Sequence, residues 1–342
     1  MMDRERQRRD FALAAGWGRA RAERLPSDAS TRTYYRLQDG GRRAMLMDAQ
    51  PPREKPAEFL HMARLLQGFD YSAPMILASD PVAGFILLED LGDDTYTRLI
   101  AGGMDETRLY GLAIDLLADL HGRFEPSGAH GIPPYSDEIL LSEAGQFVDW
   151  CLPEITGRPT DPAVRDAYLA LWREALPLAR AVPPSLTLRD YHIDNLMLLE
   201  GRPGLKACGL LDFQDSLIGP IGYDLVSLLE DARRDVPDDL AAAMRARYLA
   251  LRPLVDPTAL DRSMAFLGAQ RHAKVLGIFC RLARRDGKPV YLKHLPRLWR
   301  LIGRSLKHPD LAGLEQWMER NVPADQRGIP EPLRALYPEA VR

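Results

Sequence analysis

The sequence predicts an α+β protein with a small, strand-rich N-terminal lobe, residues 1–91, and a larger, mostly helical C-terminal lobe, residues 92–342. Two patterns lead to this prediction. Segments rich in Thr, Tyr and aliphatic residues surround a glycine turn in the first ninety residues, whereas hydrophobic residues recur at three- and four-residue spacing over most of the remainder. A chain of 342 residues is long enough for each lobe to bury its own core.

The N-terminal lobe is predicted to be built around a β-hairpin. Its turn is Asp39-Gly40-Gly41, and the flanking segments are rich in residues that favour strands. A helix follows in which Phe59, Met62, Leu65 and Leu66 share one face. The predicted elements are a helix at 5–17, hairpin strands at 27–37 and 42–49, a helix at 55–69 and a buried strand at 85–88.

The C-terminal lobe begins with an amphipathic helix from Asp105, in which leucines and alanines form a broad apolar stripe. Two short β-like runs, 196–199 and 209–211, interrupt the helical pattern. Further helices are predicted at 136–151, 161–181, 222–233, 238–252, 258–285 and 290–306.

Composition excludes several classes of function. A net charge of -3 provides no general electrostatic attraction for nucleic acid or an anionic membrane. Cys151, Cys208 and Cys280 lie far apart, so we expect neither a disulfide framework nor a zinc cluster. The N-terminus is charged and lacks the apolar core of a signal peptide, and no apolar run is long enough to span a membrane. We therefore expect a cytoplasmic protein that binds neither nucleic acid nor membrane.

Three polar residues around the β-like runs indicate phosphoryl transfer. Asp190 lies five residues before Asn195, and Asp212 follows the second run. The reaction needs a group that accepts the hydroxyl proton and oxygen ligands that hold Mg²⁺ on the nucleotide phosphates. Asp190 is the predicted base, and Asn195 and Asp212 are the predicted metal ligands. The alternative is that all three only satisfy turn backbone or cap a loop.

The chain resembles the aminoglycoside phosphotransferase superfamily over nearly its whole length. Within it, the chain is most similar to the bacterial anomeric N-acetylmuramate/N-acetylglucosamine kinases. The motifs that carry the resemblance are Ser27-Asp28-Ala29-Ser30 with Arg32, Tyr34 and Arg36; Met47-Asp48-Ala49; Leu88-Glu89-Asp90-Leu91-Gly92; Arg189-Asp190-Tyr191-His192 with Asn195; and Asp212-Phe213-Gln214-Asp215 leading to Gly219-Pro220 and Tyr223-Asp224.

The resemblance implies a bilobal, protein-kinase-like fold with an ATP site between the lobes and Mg²⁺ as cofactor. Ser27, Asp28, Ala29 and Ser30 are then the loop over the ATP phosphates, although this loop contains no glycine. Glu89, Asp90 and Leu91 are the hinge whose backbone reads adenine. The alternative for the loop is an ordinary Ser/Asp turn that enters a hairpin.

Two positions depart from the general kinase pattern. Met47 stands where kinases place a phosphate-binding lysine, and Leu188 stands where a histidine usually precedes the catalytic aspartate. Arg32 is our candidate for the missing cation and Arg36 is the second choice, with a solvated arginine on a hairpin edge as the alternative. Without the lysine, we expect its usual partner, Glu58, to be a surface residue.

The acceptor is expected to be a small amino sugar. The late helix is rich in basic residues, and Arg271 and Arg281 are the candidates for binding an anionic group such as the lactyl carboxylate of N-acetylmuramate. His192 and Asp215 are further acceptor candidates, with a structural role for His192 as the alternative. Asp224 is expected to hold the catalytic loop. A basic helix face that is merely solvated is the alternative for the arginines.

The resemblance thus implies a kinase that transfers the γ-phosphoryl group of ATP to the anomeric hydroxyl of N-acetylmuramate or N-acetylglucosamine in cell-wall recycling. Two alternatives stay open. One is a kinase for an aminoglycoside, choline-like or amino-alcohol acceptor. The other is a nucleotide-binding pseudokinase scaffold, which the missing lysine suggests and the intact Asp190, Asn195 and Asp212 oppose. The oligomeric state is left open.

Overall fold

A computed structural model of the chain describes residues 2–26, 31–128 and 131–341. The chain forms two compact units. Unit 1 comprises Met1–Leu116 and Asp190–Ser216, and unit 2 comprises Leu117–Arg189 and Leu217–Arg342. The segment that carries Asp190, Asn195 and Asp212 therefore belongs to the same unit as the N-terminal sheet. The boundary between an N-terminal and a C-terminal lobe, expected after residue 91, remains a prediction.

Unit 1 contains a five-stranded antiparallel sheet in the order β1-β2-β3-β5-β4. Its strands are β1 (Arg21–Arg24), β2 (Thr33–Asp39), β3 (Arg42–Asp48), β4 (Ile76–Asp80) and β5 (Phe85–Leu88). The predicted hairpin is confirmed, because β2 and β3 pair from Asp39 opposite Arg42 down to Thr33 opposite Asp48. The buried strand predicted at 85–88 is confirmed as β5.

The core on one side of this sheet is formed by side chains that alternate along each strand between the two faces of the sheet. Leu37 of β2, Ala44 and Leu46 of β3, and Phe85 and Leu87 of β5 point to the same buried cluster. Helix α1 (Met2–Ala14) covers this cluster, and its Phe11 stacks on Phe85 with 5.6 Å between ring centroids. Helix α2 (Pro56–Gly68) confirms the helix predicted at 55–69.

Strand β1 was not predicted. It reads Arg-Ala-Glu-Arg, all four of its residues are exposed, and it lies at one end of the strand order. A strand without a buried face has no alternation of apolar and polar residues, so the sequence carries little sign of it. Its place in the sheet comes from its ladder with β2.

The two β-like runs of the sequence form a second hairpin in unit 1. Strand β7 (Leu196–Leu198) pairs antiparallel with β8 (Cys208–Leu210). Phe213, just beyond β8, stacks on Phe59 of α2 at 5.1 Å between ring centroids. The segment after the hairpin is thereby packed against α2, the helix that connects β3 to β4. Helix α3 (Tyr96–Ala101) and the start of α4 (Glu106–Arg123) complete this unit.

Unit 2 is mostly helical and confirms the predicted pattern of the C-terminal part. Its two strands, β6 (Pro184–Thr187) and β9 (Leu217–Pro220), pair antiparallel. Its remaining helices are α5 (Asp137–Gln146), α6 (Leu152–Thr156), α7 (Pro162–Ala179), α8 (Gly222–Leu229), α9 (Asp238–Leu251), α10 (Pro257–Arg284), α11 (Leu295–Leu306), α12 (Ala312–Asn321) and α13 (Glu331–Leu336). In the part of the chain that the structure describes, no helix has the length and apolar character needed to cross a bilayer.

Helix α10 forms the centre of unit 2. Asp256 caps its first turn by accepting from the Ala259 N–H, and Pro257 occupies the first helical position. Gly277 lets α10 lie against the end of α5, because a Cβ at this position would be only 2.1 Å from the carbonyl oxygen of Gln146. The helix predicted at 136–151 ends there as α5 and continues as one π-helical turn, Phe147–Cys151.

Candidate active site

Residues 190–195 form a tight loop closed by hydrogen bonds to its own backbone. The His192 N–H donates to the Asp190 carbonyl at 3.2 Å, and the Asn195 N–H donates to the His192 carbonyl at 2.9 Å. The side-chain Nδ2 of Asn195 also donates to the Asp190 carbonyl, at 3.0 Å. Because the nitrogen end of this amide is turned towards the loop, its Oδ1 is the end suited to a metal ion.

The β7-β8 hairpin joins Asn195 to the segment that contains Asp212. Leu196 is paired with Leu210, and the Leu211 N–H donates to the Asn195 carbonyl at 3.0 Å. Asp212 is the next residue and has a left-handed backbone with φ of 58°. The prediction that a hairpin brings these two segments together is confirmed. The catalytic and metal-binding roles of Asp190, Asn195 and Asp212 stay predictions.

Arg32 lies beside Asp212. Its Nη2 donates to Asp212 Oδ1 at 2.5 Å, its Nη1 donates to Gln214 Oε1 at 2.5 Å, and its Nε is 3.7 Å from Glu54 Oε2. Burial opposes the charge on Arg32, but Tyr34 and Asp212 outweigh it and raise the pKa of the guanidinium above its usual value. Met47 is fully buried. Arg32 thus brings a permanent positive charge to Asp212.

Arg36 is bound to the predicted hinge instead. Its Nε pairs with Asp90 Oδ2 at 2.8 Å and its Nη2 pairs with Asp93 Oδ1 at 2.8 Å. The hydrogen bond from Arg36 lowers the pKa of Asp93. The Gly92 N–H donates to Asp90 Oδ1 at 3.0 Å. These contacts connect strand β2 to the residues that follow β5.

Only some backbone groups of the predicted hinge, residues 89–91, form hydrogen bonds within the described residues. The Glu89 N–H donates to the Met75 carbonyl at 2.8 Å, and the Glu89 side chain is bonded to Arg202. Within the described residues, neither the Glu89 carbonyl nor the Leu91 N–H takes part in a hydrogen bond. This segment therefore still offers a backbone acceptor at Glu89 and a backbone donor at Leu91, which is the kind of pair that the edge of an adenine ring would need.

The remaining predicted site residues of unit 1 are placed as follows. Ser27, Asp28, Ala29 and Ser30 lie outside the described residues. His192 is buried, with its Nε2 3.4 Å from Asn195 Nδ2. Asp215 is exposed and accepts from Gln214 Nε2 at 2.9 Å.

Glu58 is an exposed residue, as predicted. Besides Asp212, Arg32 has a second acidic neighbour, Glu54, which the sequence did not predict.

The basic residues of α10 in unit 2 have different surroundings. Arg271 is buried, and its Nη1 donates to the Arg189 carbonyl at 3.1 Å and to the Tyr223 hydroxyl at 3.2 Å. Arg281, farther along α10, donates from Nη1 to Gln146 Oε1 at 2.9 Å. The structure thus separates the two arginines that the sequence analysis grouped together.

Asp224 binds the backbone of the two residues that precede the loop of residues 190–195. Its Oδ2 accepts from the Leu188 N–H at 2.6 Å and its Oδ1 accepts from the Arg189 N–H at 2.8 Å. Asp224 was expected to hold the loop that begins at Asp190, and the structure shows its carboxylate bonded to the two residues that directly precede this loop.

Glu143 is the centre of a polar cluster that the sequence analysis missed. Its carboxylate accepts from Lys274 Nζ at 2.9 Å and from Gln270 Nε2 at 3.1 Å, and it is also bonded to the Tyr135 hydroxyl and the Arg189 guanidinium. The available signal was its position on the apolar face of α5, between Leu140 and Phe147 at helical spacing.

The comparison with protein families identifies the chain. The model of the phosphotransferase enzyme family matches residues 21–267, which is more than half of the chain. The chain belongs to this family. The match includes the loop of residues 190–195, the β7-β8 hairpin and the first part of α10. This phosphotransferase therefore has the α+β fold that its sequence predicted.

Individual relatives extend over nearly all of this phosphotransferase. It is 37% identical to an N-acetylmuramate/N-acetylglucosamine kinase of Caulobacter vibrioides, over 95% of this chain and 98% of that protein. It is 38% identical to a kinase of the same name from Pseudomonas aeruginosa, over 89% of this chain and 90% of that protein. A solved choline/ethanolamine kinase family protein from Mesorhizobium loti shares the fold, with a TM-score of 0.61 and 15% identity over 94% of this chain and 100% of that one.

Proposed function

We propose that this protein is an ATP- and magnesium-dependent kinase of amino sugars, which transfers the γ-phosphoryl group to the anomeric hydroxyl of N-acetylmuramate or N-acetylglucosamine. The observation that carries the proposal is the hairpin that brings Asp212 next to Asn195 and the loop of Asp190. The relatives that span nearly the whole chain support the choice of acceptor. We place the reaction in the cytoplasm, where ATP is available.

Asp190 is the proposed general base. It accepts the proton of the anomeric hydroxyl while the oxygen attacks the γ-phosphorus. The Asp190 carbonyl is held by His192 and Asn195, so the loop that carries the carboxylate is braced on its own backbone. A braced loop keeps the carboxylate in one position relative to the attacking oxygen, which is a main requirement of this chemistry.

Asn195 and Asp212 fit the requirements of Mg²⁺. The amide of Asn195 is orientated by the Asp190 carbonyl, and Asp212 adds one carboxylate. In the described ranges, no group of three His, Cys, Asp or Glu side chains converges to form a metal site built from protein ligands alone. Mg²⁺ is bound in kinases by one or two protein oxygens, water and substrate phosphates, so a small ligand set is suitable. When bound there, the ion neutralises negative charge on the transferring phosphates.

The nucleotide is proposed to contact three further groups. The Glu89 carbonyl and the Leu91 N–H bind the edge of the adenine ring, since neither group forms a hydrogen bond within the described residues. Arg32 supplies the positive charge for the phosphates that Met47 lacks, because it is the cation that lies beside Asp212. The loop of Ser27 to Ser30 is proposed to cover the same phosphates.

The test is an acceptor panel with the purified protein and magnesium-ATP. N-acetylmuramate and N-acetylglucosamine should be converted to their 1-phosphates, identified by phosphorus NMR. Their 1-O-methyl glycosides are matched controls that keep the binding groups but lack the nucleophile, so they should be inert. Turnover of kanamycin or choline without turnover of the amino sugars would reject the acceptor. ATP binding without turnover of any acceptor would favour a scaffold.

A further inference from the structure

Arg189 has an unusual backbone conformation for its residue type. Its φ is 70°, in the left-handed region that glycine adopts easily and residues with a Cβ adopt rarely. The conformation costs on the order of 1 kcal/mol or more, so it persists only where surrounding groups hold it. Arg189 is also the residue that directly precedes Asp190.

The backbone of Arg189 is held from both sides by unit 2. Asp224 of α8 accepts from its N–H. Two donors bind its carbonyl: Arg271 Nη1 of α10 at 3.1 Å and Ser227 Oγ of α8 at 3.2 Å. Both backbone polar groups of Arg189, its N–H and its carbonyl, are thus bound by side chains, and none of these three side chains is exposed. Such contacts restrict rotation about φ and ψ of the residue.

The side chain of Arg189 is held as well. Its guanidinium is bonded to Glu143 and lies 5.6 Å from the centroid of the Tyr135 ring. Burial alone would raise the pKa of Glu143, but Lys274 and Arg189 outweigh it and lower the pKa to about 2. Glu143 therefore stays ionised at neutral pH and provides a permanent anchor for Arg189.

We infer that Arg271 and Glu143 are positioning residues of the proposed reaction, which hold Arg189 in the conformation from which the chain enters Asp190. The inference rests on the proposed function, because it assigns Asp190 the role of base. It also gives Arg271 a different task from binding the acceptor. The Arg271 side chain is buried, and its Nη1 is engaged by the Arg189 carbonyl and the Tyr223 hydroxyl.

Steady-state kinetics separate positioning from acceptor binding. Arg271→Gln and Glu143→Gln should each lower kcat at least tenfold, while KM for ATP and for both sugars stays within threefold. Arg271→Lys keeps the charge and should recover part of the loss. Arg262→Gln is the matched control on α10, since Arg262 is exposed and pairs with Asp310; it should behave as the parent. A selective rise in KM for N-acetylmuramate would instead make Arg271 an acceptor ligand and overturn the inference.

Hydrogen exchange tests the inference without any turnover. In the nucleotide-free protein, amides in the peptide 186–195 should exchange faster in Arg271→Gln than in the parent or in Arg262→Gln, while peptides of the β1 to β5 sheet stay unchanged. Unchanged exchange in 186–195 would overturn the inference. If Arg271→Gln does not fold, Arg271→Lys carries the same test. A protein inactive on every amino sugar would reject the proposed function, and the exchange result would still decide whether Arg271 holds this segment.

A double-mutant cycle gives a further check. Ser227 and Arg271 donate to the same carbonyl, so the effects of Ser227→Ala and Arg271→Gln on kcat should be non-additive. Additive effects on kcat would mean that the two residues act independently and would overturn the shared positioning role.

Discussion

Arg32 and Asp212, 180 residues apart in the chain, are joined by a hydrogen bond of 2.5 Å from Nη2 to Oδ1. The contact links the residue just before β2 to the residue just after the β7-β8 hairpin. It places a buried cation against the carboxylate that we propose as a magnesium ligand. Nucleotide, metal ion and Arg32 would therefore all meet at Asp212, and substitutions at this pair should be informative.

Asp212→Ala should abolish magnesium-dependent turnover, because it removes the only charged member of the proposed ligand pair. Calorimetric titration of ATP with and without Mg²⁺ is the direct measurement, and the variant should lose the enhancement of binding by Mg²⁺. Gln214→Ala is the matched control, since it removes another partner of Arg32 but no proposed metal ligand. Parent-like use of magnesium-ATP by Asp212→Ala would locate the ion elsewhere.

Arg32→Ala and Arg36→Ala should weaken nucleotide binding in different ways. Arg32→Ala should raise KM for ATP by roughly tenfold and leave adenosine binding unchanged, because its charge acts on phosphates. Arg36→Ala should affect ATP and adenosine alike, since Arg36 is paired with the hinge carboxylates Asp90 and Asp93. Equal, small effects of both variants would leave the phosphate cation unassigned to either arginine.

Asp190→Asn should lower kcat by on the order of a thousandfold with little change in thermal stability, because an amide cannot accept the hydroxyl proton. Rapid-quench assays with N-acetylglucosamine measure the chemical step. Asp194→Asn is a control within the same loop and should change kcat less than threefold. Near-normal turnover by Asp190→Asn would exclude Asp190 as the base.

Gly277→Ala should destabilise the protein by about 2 kcal/mol, since the added methyl group would meet the Gln146 carbonyl oxygen at 2.1 Å. Gly303→Ala is the matched control in α11, where the new methyl group would meet no described atom within 4 Å apart from its chain neighbours and the backbone of its own helix. That variant should be neutral or more stable, because alanine favours helix more than glycine does. Urea unfolding measures both, and equal stability of the two variants would contradict the close approach of α10 to α5.

His121 should make the folded state sensitive to acid. Burial, with a smaller effect from Arg252, lowers its pKa from 6.5 to about 3, and its Nδ1 lies 2.8 Å from the Tyr248 hydroxyl. Because the unfolded chain binds this proton more readily, stability should fall as the pH drops below about 6.5 and be unaffected above it.

The measurement is urea unfolding of His121→Asn at pH 7.5 and pH 5. Between these values the variant should lose about 2 kcal/mol less than the parent, the product of roughly 1.5 pH units and about 1.4 kcal/mol per unit. His61→Asn, at an exposed position on α2, should follow the parent. Identical pH dependence of His121→Asn and the parent would show that His121 does not stay neutral in the folded protein.

Local patterns explain which parts of the fold were predictable. The Asp39-Gly40-Gly41 turn and the spacing of hydrophobic residues in α2 are local features of the sequence, so the turn of the β2-β3 hairpin and helix α2 were predicted nearly at their observed positions. Helix α10, predicted at 258–285, is likewise observed at Pro257–Arg284. The π-helical turn at Phe147–Cys151 was not, because it continues the periodicity of α5 and depends on packing.

In the candidate site, too, residues linked by local structure could be predicted, whereas residues with distant partners could not. Asp190, Asn195 and Asp212 were found because two short strands and a tight loop connect them. Glu54 and Glu143 were missed because their partners are distant. Glu143 binds Lys274 from 131 positions away, and only the folded chain brings the two together. Arg32 and Arg36 are only four residues apart, yet they pair with different carboxylates, Asp212 and Asp90, and this difference is likewise set by the folded chain.

Strand β1 has a consequence for the behaviour of the protein at high concentration. An open sheet edge offers backbone donors and acceptors to any extended chain that approaches it. Here an approaching strand would have to strip water from Arg21, Glu23 and Arg24, and it would find no apolar side chain larger than Ala22 in return. We therefore expect this edge to resist aggregation by the addition of β-strands, even though other strands of the sheet are rich in residues that favour such aggregation.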